Sequence, residues 1–195
     1  IRSFIFANSG DRLKITNVSR VSALIINFGN VFNGCANLTW TAIDAPVLET
    51  TSLEAFFKNC VLFNGNIGNW NVSNVTNMVE MFLGSTAFNQ DISSCTVVNV
   101  TNMQNMFLSA TSFNQNIGNW NVSNVTNFTG FMANKTSLNF SSSNYDAILN
   151  GWSLLSVKPS LTLNMGTIKY TASGATGKAI LTSSPKNWTI TDGGI

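Results

Sequence analysis

FNGNIGNWNVSNVTNM, residues 63–78, returns as FNQNIGNWNVSNVTNF at 113–128, and FNQDISSCTVVNVTNM stands between them at 88–103. The three copies are 25 residues apart, and a fixed period of that size is weighed before any local pattern because it governs the whole architecture. Inside one copy, Trp70 and Val72 alternate with polar residues at period two, which predicts a short strand with both side chains turned inward. Met78, Met81 and Phe82 follow at i, i+3 and i+4, which predicts one helical or 3₁₀ turn with Thr76 or Asn77 as its N-cap.

Weaker copies flank the strong ones. Leu53, Phe56 and Phe57 precede Met78, Met81 and Phe82 by one period, Phe28 and Phe32 lie a further period upstream, and Leu138 with Asn139 takes the Phe-Asn position of a last copy. The expectation is a leucine-rich-repeat-like solenoid, β-rich with short parallel strands, of about five coils over residues 13–140. Columns of equivalent residues would then form its interior, Val72, Val97 and Val122 among them, with Asn64, Asn89, Asn114 and Asn139 tying neighbouring turns. From residue 141 the pattern stops. Tyr145–Trp152 and Ala175–Leu181 read as short helices, Leu161–Leu163 and Trp188–Ile190 as strands, so 141–195 is expected to be a mixed α/β cap that covers the last apolar layer.

Composition narrows the function classes. Only 9% of the 195 residues are charged, against roughly 25% in an ordinary soluble protein, so the polar surface has to be Asn, Ser, Thr and Gly. A net charge of +2 without clustered Lys or Arg argues against nucleic acid as a partner. No apolar run is long enough for a membrane span, so no membrane insertion of this stretch is expected. The chain has no His, which removes the commonest general base and metal ligand, and it carries no P-loop, G-x-G-x-x-G or G-x-S-x-G motif. We expect no enzyme activity, no cofactor and no metal. Asp91 stands in register with Asn66 and Asn116, so a calcium site between coils would hold a single carboxylate. Cys35 and Cys60 are one period apart in a column that continues as Ser85 and Ala110, which reads as small buried residues, although a disulfide between them is open. The start at Ile1 reads as an excised or processed piece.

The run from Phe63 to Met132, with its F-N-Q-x-I-x-x-W-x-V-S-x-V-T-N-M-x-x-M-F pattern, resembles the BspA-type leucine-rich repeat proteins of bacterial surfaces. Phe32 to Leu38 with Asp44-Ala-Pro46 is similar to that family's first coils, and residues 1–12 to the tail of an upstream β module or an N-terminal cap. The resemblance implies an extracellular or cell-surface location, a virion surface included, and a role in adhesion or recognition of a host. It supplies no catalytic residues.

The residues expected to face outward from the strands are Asn69, Asn71 and Ser73, then Ser94 and Thr96, then Asn119, Asn121 and Ser123. They form a neutral hydrogen-bonding face suited to a protein or glycan receptor, and they serve equally to solvate the sheet. The function expected is therefore a non-catalytic interaction module. The alternative is a structural spacer or surface decoration subunit that assembles with its neighbours; the sequence leaves the oligomeric state open.

Overall fold

The computed structural model describes residues 10–195, so most of the upstream segment expected at 1–12 lies outside the described residues. Its regular elements are β1 (Asn17–Val18), β2 (Ile25–Ile26), β3 (Thr39–Trp40), β4 (Val47–Leu48), α1 (Ser142–Ser153), β5 (Thr162–Asn164), α2 (Ala172–Thr182) and β6 (Thr189–Thr191). The strands pair in parallel as β1 with β3, β2 with β4, and β5 with β6.

This corrects the expected architecture. A leucine-rich-repeat-like solenoid with strands at Trp70-x-Val72 and helical turns at Met78–Phe82 is not what the chain builds. Residues 49–141 contain no helix and no strand, only turns, bends and isolated bridges, and the central part of the protein is largely irregular. The reason is local. Around the supposed strand, Asn66 Oδ1 accepts the Gly68 N–H at 3.0 Å and Asn71 Oδ1 accepts the Ser73 N–H at 3.2 Å. Backbone turns close beside them, Trp70 N–H to Ile67 O at 3.0 Å and Val75 N–H to Val72 O at 2.9 Å. Asn side chains that bond nearby backbone compete directly with a strand ladder, and here they win.

The supposed helical turn fails for a different reason. Glu80 sits at φ 55°, as do its equivalents Ala55 at 49°, Asn105 at 53° and Gly130 at 66°, and a left-handed residue ends any right-handed helix. The N–H groups of Met78, Glu80, Phe82 and Gly84 then point at Asn102, Gln104, Met106 and Leu108 of the following segment, at 2.9–3.0 Å. The same set recurs from Leu53 to Asn59, and single parallel bridges join Ser52, Asn77, Asn102 and Asn127 in turn. Backbone pairing between segments therefore lies where a helix was expected, and turns lie where a strand was expected. Gly130 is the one member of its column without a Cβ to strain, and a Cβ there would fall 2.0 Å from Asn105 Oδ1. Gly130→Ala is expected to cost about 1–2 kcal/mol, measured by urea unfolding.

Equivalent apolar residues of successive segments lie against one another. Phe32, Phe57, Phe82 and Phe107 stack with ring centroids 5.6–5.9 Å apart, and Phe63, Phe88 and Phe113 stack beside them at 5.7–5.8 Å. The two columns touch face to face, Phe57 on Phe63 at 3.8 Å, Phe82 on Phe88 at 4.0 Å and Phe107 on Phe113 at 4.0 Å. All seven rings are fully buried. Cys95 occupies the place that Trp70 and Trp120 hold in their segments, and a void of about 20 Å³ beside Met81, Val97, Met106 and Trp120 marks the missing indole.

The last segment departs from the period. Leu138, which stands in sequence register with Phe113, is 98% exposed, while Phe140 is buried and meets Phe113 at 6.5 Å. Beyond it, Ser141 caps α1, its Oγ accepting the Asn144 N–H at 3.2 Å. Helix α1 approaches the last segment backbone to backbone through Gly151 and Gly118; a Cβ on Gly151 would lie 2.0 Å from Gly118 O. Lys178 of α2 pairs with Asp192 at 2.8 Å, Tyr145 O–H donates to Asp192 at 2.6 Å, and the Lys178 ammonium lies 4.6 Å from the centre of the Tyr170 ring. These contacts join α1, α2 and the end of β6 into one C-terminal unit.

Candidate functional site

The eight residues expected on the exposed face form three columns. Asn69, Ser94 and Asn119 make the first, all exposed, and each ties its segment to the preceding one. Asn69 Nδ2 donates to Ile43 O at 3.1 Å, Ser94 Oγ to Gly68 O at 3.0 Å and Asn119 Nδ2 to Ser93 O at 3.1 Å. Each gives one donor to the neighbouring segment. Ser73 and Ser123, half-buried, belong to the turns that Asn71 and Asn121 close, with Asn121 Oδ1 accepting the Ser123 N–H at 3.1 Å. Asn71, Thr96 and Asn121 form the remaining column, also exposed. The two Asn oxygens are fixed by their turns while their amide NH₂ groups and the Thr96 hydroxyl make no bond within the protein.

The face is thus presented by turns rather than by a sheet, and its outer column is the one that makes no tie to a neighbouring segment. Two further columns with the same tying role went unread in the sequence. Asn99 Nδ2 donates to Ser73 O and Asn124 Nδ2 to Val98 O, both at 2.8 Å, and the Thr76, Thr101 and Thr126 hydroxyls each donate to the Thr one period earlier at 3.0–3.2 Å. The signal for them was the repeat itself, since a polar residue that recurs at every period beside backbone carbonyls is positioned to bridge segments.

Electrostatics give no reactive centre in this region. Burial pushes the thiols of Cys35 and Cys95 up to about 11 and that of Cys60 higher still, so all three are protonated at neutral pH and poor nucleophiles. They are free, so Cys35 and Cys60 are not bonded. Asp91 is held below the usual carboxylate range by the Ser93 N–H, at 2.8 Å, and remains a lone exposed carboxylate. Among the described residues no cluster of three or more His, Cys, Asp or Glu side chains could hold a metal ion. No helix among them is long and apolar enough to cross a membrane.

Two acidic or basic residues are buried among the described residues, Asp146, whose carboxylate accepts from the Thr171 N–H at 2.9 Å and the Thr171 hydroxyl at 2.5 Å, and Lys135. Lys135 continues the column Cys35, Cys60, Ser85, Ala110, and its ammonium donates to the carbonyls of Phe113 at 2.6 Å, Thr111 at 3.0 Å and Asn139 at 3.4 Å. Burial lowers its pKa to about 7.

Residues 26–145 match the family described as "Mycoplasma protein of unknown function, DUF285". The chain belongs to this family. The match covers more than half of the sequence, including every strong copy of the 25-residue pattern, and it replaces the BspA-type leucine-rich repeat resemblance, for which nothing else speaks. No curated protein and no solved structure matches the chain. The DUF285 region ends within α1, so β5, α2 and β6 of this DUF285 chain lie beyond it.

Proposed function

We propose that this DUF285 chain is a non-catalytic interaction module that binds a protein or glycan receptor through the exposed column of Asn71, Thr96 and Asn121. The observation that carries this reading is the division of labour among the polar columns. Inner members use their hydrogen bonds to tie segments, whereas the outer column keeps free amide and hydroxyl groups on turns whose backbone is already fixed. Groups held in place before contact lose little conformational entropy on binding. The scarcity of charge suits recognition by hydrogen bonding and shape rather than by electrostatic steering.

The test is a glycan array together with a cell-adhesion assay on the chain and on its Thr96→Arg variant. Thr96 makes no internal bond, so the variant should melt at the same temperature. Retained folding with binding reduced at least about tenfold supports the reading, since that corresponds to the loss of one well-made polar contact. Absence of binding to any glycan or cell surface, with ordered self-assembly instead, would replace it by the spacer reading.

A further inference from the structure

At the junction between the last 25-residue segment and the C-terminal unit lies a hollow of about 340 Å³, bounded by Ala133–Thr136 on one side and by Asn164, Gly166, Thr167 and Thr191 on the other. We propose that this hollow is a second binding site, independent of the Asn71–Thr96–Asn121 column, and that it takes a neutral, hydroxyl-rich ligand of monosaccharide size.

The walls are held by backbone bonds rather than by loose loops. Met132 N–H donates to Asn164 O at 3.0 Å, Thr167 N–H to Lys135 O at 2.8 Å and Met165 N–H to Thr191 O at 2.9 Å. Gly166, at φ 65°, lets its chain pass so close to Lys135 that a Cβ would stand 2.2 Å from the Lys135 carbonyl oxygen. The shape therefore exists before any ligand arrives, and its size falls within the range of small-ligand pockets.

Its chemistry selects the ligand class. The one charged residue of the wall is Lys135, and its ammonium donates to the carbonyls of Thr111, Phe113 and Asn139. Asn164 uses its Oδ1 on the Gly166 N–H at 2.9 Å, which leaves the NH₂ free. The hydroxyls of Thr167 and Thr191 make no bond within the protein. An ionic ligand would be brought here without a counter-charge, and an apolar one would cover the amide and hydroxyls without satisfying them. A sugar unit, with donors and acceptors around its rim and no charge, does neither. The hollow also needs both halves of the molecule, so it exists only where the C-terminal unit is docked on the DUF285 region.

The experiment is a ¹⁵N NMR titration of the chain with glucose, galactose, mannose and N-acetylglucosamine, with glucuronate and benzoate as charged probes. The expected result is saturable shifts at Asn164, Thr167 and Thr191 with at least one neutral sugar in the millimolar range. Thr167→Val and Thr191→Val, which remove hydroxyls without internal partners, should each weaken that binding several-fold at unchanged melting temperature, while Thr96→Arg leaves it intact. No saturable shift with any of the four sugars, shifts confined to other residues, or a stronger response to either charged probe would each overturn the proposal.

Discussion

Phe107→Ala is expected to lower the unfolding free energy by about 3–5 kcal/mol, among the larger losses a single truncation produces. Its ring is wholly buried and contacts four other aromatic groups: Phe82 at 5.6 Å, Phe113 at 4.0 Å, Phe131 at 5.5 Å and Trp120 at 6.4 Å. Truncation removes the transfer free energy of an aromatic side chain and leaves a cavity between two segments. The neighbours cannot close that cavity, because their backbones are pinned on both sides by the Phe82 N–H to Met106 O and Phe107 N–H to Phe131 O bonds, each 3.0 Å. In a chain of this length the loss corresponds to a fall in melting temperature on the order of 10 °C, readable by calorimetry. The paired measurement is Leu138→Ala against Phe140→Ala. Leu138 is in register with Phe113 by sequence but is exposed, so its truncation should change stability by less than about 0.5 kcal/mol, whereas Phe140→Ala should cost several times more. If Leu138→Ala proved the more damaging, the aromatic stack would end differently from the way described here.

That contrast also shows how far the sequence could be read. The spacing of apolar residues identified which side chains are buried: Trp70, Val72, Met78, Met81 and Phe82 are all inside. It did not reveal the backbone that carries them. Period-two alternation at Trp70 and Val72 gives the same burial whether the chain is extended or turned, and the Asn residues that choose the turn look like ordinary surface polars. An i, i+3, i+4 pattern at Met78, Met81 and Phe82 is likewise satisfied by consecutive turns broken at a left-handed Glu80. Since glutamate is a fair helix former, nothing in its identity announces that conformation. In the C-terminal unit, by contrast, the helix read at Tyr145–Trp152 and the Leu161–Leu163 and Trp188–Ile190 alternations correspond to α1, β5 and β6, because short helices and strands there follow local chemistry. Of the residues expected on the outer face, Ser73 and Ser123 are half-buried and the other six exposed, and the sequence could not say which of these side chains tie one segment to the next. The hollow beside Lys135 was invisible, because its two walls come from parts of the chain joined only by folding.

The second large effect is a pH dependence centred on Lys135. Its pKa is lowered from 10.5 in the free side chain to about 7 in the folded protein, and the cause is burial away from water. Between those two values the unfolded chain holds a proton that the folded chain lacks, so protonation favours unfolding and stability rises with pH across the interval. Above about 10.5 both states are neutral at this site and the effect is gone; below about 7 both carry the proton and the penalty is constant. One such group changes the unfolding free energy by up to about 1.4 kcal/mol per pH unit within the window. Lys135→Met removes the titration but leaves the Thr111 and Phe113 carbonyls without their donor, a cost that does not depend on pH. The difference in stability between the parent and the variant should therefore grow steadily in the parent's favour from pH 7.5 to pH 9.5, as followed by urea unfolding at fixed ionic strength (both limits chosen, roughly, to lie inside the window). Parallel profiles for the two proteins would mean that Lys135 stays protonated throughout, its three carbonyl acceptors compensating fully for the water it has lost. A rising difference thus shows that desolvation strips the Lys135 charge within this window, and a flat one that the surrounding carbonyls hold it.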